Sequence, residues 1–241
     1  MVGVTAPAVT WHDVENGAYD ADLPLWRELA ETAAGGPVLD LGAGTGRVAI
    51  DLAAHGHEVV ALDSDADLLA ALADRAPEVT TATADARDFT LQPTFPLVIA
   101  PMQLMQILGG QDGRLAMLDR VRAHLTRGGI FAAALADPYD AAPGEHTEPP
   151  LPDMLERDGW VFSSQPVSVR EQNGCVLVTR RRQAVSPAGD LTEDVVDIAL
   201  DVVDVEAVER EALAAGLTAI ERRAIAETPD HIGSTVMVCR R

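Results

Sequence analysis

The chain has 241 residues, 18 basic and 38 acidic side chains and a formal net charge of −20, and every basic residue is an arginine. The absence of lysine excludes a Walker-type phosphate loop, a pyridoxal or Schiff-base enzyme and a protein kinase, each of which needs an amine at its centre. The negative charge opposes phosphate backbones and anionic lipid, so no nucleic acid and no membrane is expected as a partner, while 47% hydrophobic residues suffice for a sizeable core.

Met1 to Asp22 carries neither a basic segment nor an apolar run of export-signal type, and apolar runs elsewhere are of strand length; a cytoplasmic protein is expected. Leu25, Trp26, Leu29 and Ala30 recur at helical spacing, which predicts a helix over Leu23–Ala34, ended by Gly35-Gly36-Pro37. Val38–Leu41 then reads as a buried strand, Gly42–Gly46 as a glycine turn and Arg47–His55 as a helix. Glu58–Asp63 is a second strand, and Ser64 with Asp67 forms a capping-box pattern that opens a helix over Asp65–Arg75. Strands over Val79–Ala84 and Leu97–Ala100, a helix over Arg114–Leu125, a turn at Arg127-Gly128-Gly129 and a strand over Ile130–Ala136 continue the rhythm. This alternation predicts an α/β fold, a Rossmann-like, doubly wound, seven-stranded sheet.

Beyond Asp137 the pattern changes. Pro138–Pro152 reads as a loop, followed by three strands, Trp160–Val169, Cys175–Val185 and Leu191–Val202, with turns at Asn173-Gly174 and Pro187-Ala188-Gly189: an antiparallel β insertion after the fifth strand. A helix over Val205–Ala215 and strands over Thr218–Ile225 and Thr235–Arg240 close the sheet. The expected organisation is one domain, 1–241, with an N-terminal lid (1–35), a cofactor-binding core (36–137), a substrate cap (138–203) and closing elements (204–241). Cys175 and Cys239 have neither disulfide-framework nor zinc-ligand spacing, and no metal site is expected.

The chemistry is concentrated in Asp40-Leu41-Gly42-Ala43-Gly44-Thr45-Gly46-Arg47, a glycine turn at the carboxyl edge of the sheet, where doubly wound folds bind ligands. A dinucleotide fingerprint would carry its third glycine at position 47, where this chain has arginine, which weighs against a nicotinamide-dependent oxidoreductase. Asp63 ends the second strand 63 − 42 = 21 residues beyond the first glycine, near the spacing at which a carboxylate meets a ribose.

On these residues the chain resembles the class I S-adenosylmethionine-dependent methyltransferases, in particular those acting on small molecules. The resemblance covers about Tyr19 to Asp137 and extends beyond it in the order of elements. It implies S-adenosyl-L-methionine as cofactor, S-adenosyl-L-homocysteine as product, no metal, and in-line N- or O-methylation of a small molecule. It further implies that Asp40 supports the turn and the methionine amino end, that Gly42, Ala43 and Gly44 line the methionine, and that Asp63 with Ser64 meets the ribose. Asp85, beside Ala86, would accept from the adenine amino group. Tyr19 would touch the cofactor from the lid, and Arg47 would be a structural residue or a partner of the cofactor carboxylate. Ala100-Pro101-Met102-Gln103 departs from the motif of nucleic-acid amino methyltransferases; Ala100 and Met102 would wall the cofactor and Gln103 the substrate.

Tyr139 and His146, in the loop after the fifth strand, are candidates for a catalytic base. Arg180-Arg181-Arg182 is a dense positive cluster, and strand alternation separates Arg181 from its neighbours, making it a candidate contact for an anionic substrate; pairing with Glu193, Asp194 and Asp197 is the alternative. A homodimer through the insertion is also open, as is a non-catalytic cofactor-binding module.

Overall fold

The computed structural model describes residues 7–33, 35–136, 151–228 and 231–241. Two helices, α1 (Ala8–Asn16) and α2 (Leu23–Thr32), precede the first strand. Then follow β1 (Val38–Leu41), α3 (Arg47–Ala54), β2 (Val59–Asp63), α4 (Ala66–Arg75), β3 (Thr80–Thr83), β4 (Phe95–Ala100), α5 (Gln111–His124) and β5 (Leu125–Leu135). The antiparallel segment comprises β6 (Asp153–Arg157), β7 (Trp160–Gln172), β8 (Cys175–Val185) and β9 (Leu191–Asp201), and α6 (Val205–Ala214), β10 (Thr218–Ile225) and β11 (Ser234–Arg240) close the chain.

The seven-stranded sheet has the order β10-β11-β5-β4-β1-β2-β3. The pairs from β5 through to β3 are parallel, while β11 runs antiparallel between β5 and β10. Both faces are covered, so the central strands are mostly apolar, with Asp40 the exception inside β1, and alternation distributes their side chains between two cores. Val38, Val59, Leu97 and Ile99 face α2, α3 and α4, packing with Trp26, Leu52 and Leu72. Leu39, Leu41, Val98 and Phe131 face the other way, onto Met117 and Val121 of α5 and Val208 and Ala212 of α6. Asp40 shares the first face, among apolar neighbours.

The second sheet has four strands, β6-β7-β8-β9, one more than the sequence predicts. Asp153–Arg157 carries two acids and an arginine, so its apolar signal is weak; it is a strand because it pairs along its whole length with Trp160–Ser164. Two other elements differ from expectation. α1 has too few apolar positions to announce itself, and is helical where Trp11 and Val14 pack on Phe162 and Ala184 of the second sheet. The turn expected at Arg127-Gly128-Gly129 lies inside β5: the register jumps from Leu125 opposite Phe95 to Ile130 opposite Leu97, and Gly128 takes a φ of 77°. Arg241 pairs through its backbone with Gly128 and Gly129, which gives the irregular stretch partners.

Candidate functional site

The site starts where β1 ends. Gly44 and Gly46 both lie in the left-handed region, and each is pressed by a side chain. A Cβ on Gly46 would come within 2.2 Å of Leu72 on α4; on Gly44 it would come within 2.2 Å of the His12 imidazole, which α1 lays over the turn. Gly42 is covered more loosely by Leu104, and Ala43 is buried between them. The third glycine thus serves close packing of α3 against α4, one residue earlier than in a dinucleotide fingerprint.

Asp63 stands beside this turn. Its Oδ2 accepts from Gly44 N at 2.8 Å and its Oδ1 from Asp65 N at 2.9 Å, which leaves further acceptor positions on both oxygens. The cap of α4 is Asp65, which accepts from the amides of Asp67 and Leu68; Ser64 is exposed and does not cap, contrary to the expected capping box, because the chain turns one residue later.

Asp40 is 1% exposed, and its Oδ1 has no hydrogen-bond partner. Burial pushes its carboxyl up to about 8, against the pull of the nearby Arg47 guanidinium and with the push of Asp22 and Asp63. Arg47 is committed elsewhere: it donates to both Asp22 oxygens at 2.5 and 2.8 Å and to the carbonyl of Tyr19 at 2.9 Å, and lies 5.0 Å from the Tyr19 ring centre. Of its two expected roles, the geometry is that of the structural one, because Asp22, buried and also bonded by Trp26 Nε1, satisfies the guanidinium fork. Tyr19 is buried against Arg47 and the His231 ring, beside the site.

Asp85 lies further along the sheet edge, partly exposed and chelated by the side chain and backbone of Arg87, which hold its carboxyl below its usual value. Ala86 and Ala100 are buried in the α5–α6 core. Met102, with a φ of 55°, packs half-buried against the opposite core, and Gln103 precedes the single turn Leu104–Gln106 that brings Leu104 to Gly42. Tyr139 and His146 lie outside the described residues.

The arginine run divides as strand alternation predicts. Arg180 and Arg182 turn towards α1: Arg182 binds both Glu15 oxygens, and Arg180 binds Asp153 and Ser164. Arg181 is exposed and donates to Gln165. The alternative partners on β9 are otherwise engaged, Asp197 with Arg170 and Thr179, and Glu193 with Gln183.

Two further residues complete the surroundings: Gln106, which the sequence did not single out, and His12, which it placed with Trp11 in an N-terminal lid without a role at the turn. Gln106 is buried and exchanges two hydrogen bonds with the backbone of Ala136, fixing the turn after β4 to the end of β5. His12 places Nδ1 3.1 Å from Thr45 Oγ1. Burial lowers its pKa, outweighing the upward pull of Asp63, Asp13 and Glu15, with Arg47 adding to the fall. Only the pairing of a helix-borne histidine with the distant glycine turn gives it meaning, and no local pattern encodes that. Among the described residues no group of three His, Cys, Asp or Glu side chains could hold a metal ion, and no helix is long and apolar enough to cross a membrane.

A parallel sheet extended by one antiparallel strand, with a glycine turn and carboxylates at its carboxyl edge, defines a class I methyltransferase fold. Residues 38–129 match the family described as a methyltransferase domain. It is 31% identical over 149 residues to a cypemycin N-terminal methyltransferase from Streptomyces sp, covering 60% of each sequence, so the match spans three fifths of that relative's length. Among solved structures, the sugar N-methyltransferase KedS8 from Streptoalloteichus sp superposes with a TM-score of 0.77 at 18% identity, over 100% of this chain and 98% of that one. CalS10, an amino pentose methyltransferase from Micromonospora echinaspora, superposes with a TM-score of 0.71 at 21% identity, over 98% of both chains.

The residues present fit S-adenosyl-L-methionine as a cofactor. Asp40 has a buried carboxyl oxygen without a hydrogen-bond partner, suited to an ammonium, and Asp63 has spare acceptor positions, suited to a diol.

Proposed function

We propose that the protein transfers a methyl group from S-adenosyl-L-methionine to a nitrogen of a small amine. The observation that carries this reading is the orphaned, buried Asp40 oxygen on β1, just before the glycine turn that Asp63 braces. The bound cofactor would supply an electrophilic methyl carbon on a sulfonium, so the protein's own task is to bind, orient and exclude water. Asp40 would hold the methionine ammonium, Asp63 the ribose hydroxyls, and Asp85 the adenine amino group; Ala100 and Met102 would form the cofactor wall, with Gln103 towards the substrate.

A nitrogen acceptor is favoured by the distribution of charge. The arginines around the turn and on the α1 side of the second sheet are each bound to a carboxylate: Arg47 to Asp22, Arg75 and Arg157 to Asp13, Arg180 to Asp153 and Arg182 to Glu15. A carboxylate or phosphate substrate would have to displace one of them, whereas an amine meets a surface whose remaining charge is negative. The relatives named above as N-methyltransferases or as acting on an amino sugar are consistent with this choice.

Calorimetry with S-adenosyl-L-homocysteine tests cofactor binding, which Asp63→Ala should weaken at least tenfold; absence of binding ends the reading. Homocysteine release over matched panels of small amines and alcohols tests the acceptor. Turnover confined to alcohols overturns the nitrogen assignment, and tight binding with no turnover over either panel favours a non-catalytic module.

A further inference from the structure

α1 is tied to the rest of the protein by its acids. Asp13 binds Arg75 on α4 and Arg157 on β6, while Glu15 binds Arg182 and accepts from Ser164. His12 immediately precedes Asp13 on the same helix and has a different environment. Its Nδ1 faces the hydroxyl of the buried Thr45, and its Nε2 edge lies over Gly44. The Thr45 hydroxyl also faces the Asp13 carboxylate.

The arrangement suits the tautomer in which imidazole Nδ1 donates to Thr45 Oγ1, which leaves the hydroxyl hydrogen free to turn towards Asp13, whose carboxylate only accepts. Nε2 is then a bare acceptor, with no hydrogen-bond partner among the described residues, positioned over the glycine turn. Among the charges acting on this ring, Asp63 has the largest influence. An imidazole held by the Thr45 hydroxyl over a turn that Asp63 flanks with spare acceptor positions is suited to receive a donor from a ligand lying at that turn.

We propose that His12 is a cofactor-positioning residue, whose Nε2 accepts a hydrogen bond from S-adenosyl-L-methionine at the glycine turn beside Asp63. The inference rests on the methyltransferase reading. It makes α1 part of the binding site, with Asp13 and Thr45 as the residues that orient the ring.

The test is calorimetric titration of the full chain with S-adenosyl-L-homocysteine, comparing His12→Gln, His12→Asn and His12→Ala. Gln reproduces an acceptor near the Nε2 position, whereas Asn reproduces the Nδ1 position that bonds Thr45. Affinity should fall roughly tenfold in the Ala and Asn variants and stay within about twofold in the Gln variant. Protonation of Nε2 removes the acceptor, so wild-type affinity should also weaken as the pH falls below 6.5, and the Gln variant should lack this His12-dependent weakening. The charged groups facing the ring are Asp63 at the end of β2, Asp13 and Glu15 on α1, and Arg47 on α3. Rescue by Asn and not Gln would assign His12 to anchoring α1 alone and overturn the proposal, as would wild-type affinity in the Ala variant. A wild-type chain that fails to bind removes the methyltransferase reading itself, an outcome distinct from either. Melting curves of all three variants separate loss of the contact from loss of the fold, and the Gln and Asn pair decides if Ala unfolds.

Discussion

The two sheets are stabilised by different physics. In the seven-stranded sheet β1 and β4 are buried at every position, and the two faces close onto separate apolar cores. Such packing is non-directional and scales with the area removed from water. The four-stranded sheet keeps β9 exposed at most positions and, beside the small apolar contact of Trp11 and Val14 with Phe162 and Ala184, is held to α1 and α5 through charge: Glu15 with Arg182, Asp13 with Arg157, and Arg114 with Asp201. The first kind of assembly tolerates salt, resists changes of volume and responds to pH only at a buried acid such as Asp40; the second responds to salt and pH and depends on particular partners.

Replacing Arg114 gives the largest expected effect. It is 7% exposed, donates to both oxygens of Glu211 and to Asp201, and joins α5, α6 and the end of β9. Arg114→Ala strands two acids and should cost about 3–5 kcal/mol by denaturant unfolding; a loss below 1 kcal/mol would show that the junction is not the hinge between the two regimes. Gly46→Ala comes next, at about 2–4 kcal/mol, because the added Cβ meets Leu72 in a left-handed backbone.

Asp40→Asn should change stability in the opposite direction. Its folded pKa of about 8 lies above the ordinary 3.8, so the native state binds the extra proton and stability falls as the pH rises between those values. The non-titrating Asn escapes that loss. Its gain should be smallest at pH 4 and grow to about 1–3 kcal/mol by pH 8, a few degrees in Tm, while affinity for S-adenosyl-L-homocysteine drops. A variant with unchanged affinity would make Asp40 a structural residue only.

Glu15→Gln should have the smallest effect, about 1 kcal/mol or less and shrinking with added salt, detected as faster amide exchange in α1 with the seven-stranded sheet unaffected. The same helix should loosen in acid. Arg75 and Arg157 hold Asp13 down to about 2, below its ordinary 3.8, so the stability it contributes is present above pH 4 and lost as the pH falls through that range. Acid thus releases the clasp while alkali strains the core at Asp40.

How much of this was legible in the chain follows the same division. Val38–Leu41, Gly42–Gly46 and Asp63 announce their places because buried runs, glycine turns and strand-end acids are local patterns. Asp153–Arg157 did not read as a strand, since the pairing that makes it one comes from residues across a turn. Arg47 was visible as a residue of the motif, but its partner was not: Asp22 lies 25 positions away, at the start of α2. Arg181 was correctly separated from Arg180 and Arg182 by alternation, yet their ion-pair partners, Glu15 and Asp153, could not be read from the strand.

By itself the sequence determined the α/β sheet, the glycine turn and the positions of Asp40, Asp63 and Asp85, because periodicity and turn chemistry act over a few residues. Tertiary structure alone decided which charges neutralise one another and which polar atoms are left over. Arg47 and the two flanking arginines of the run are occupied, Asp40 keeps a vacant oxygen, and His12 is carried onto the glycine turn by a helix whose attachment lies largely on the other sheet. Coulombic pairing and desolvation depend on distances through space, and those are set only when the two sheets and α1 pack together.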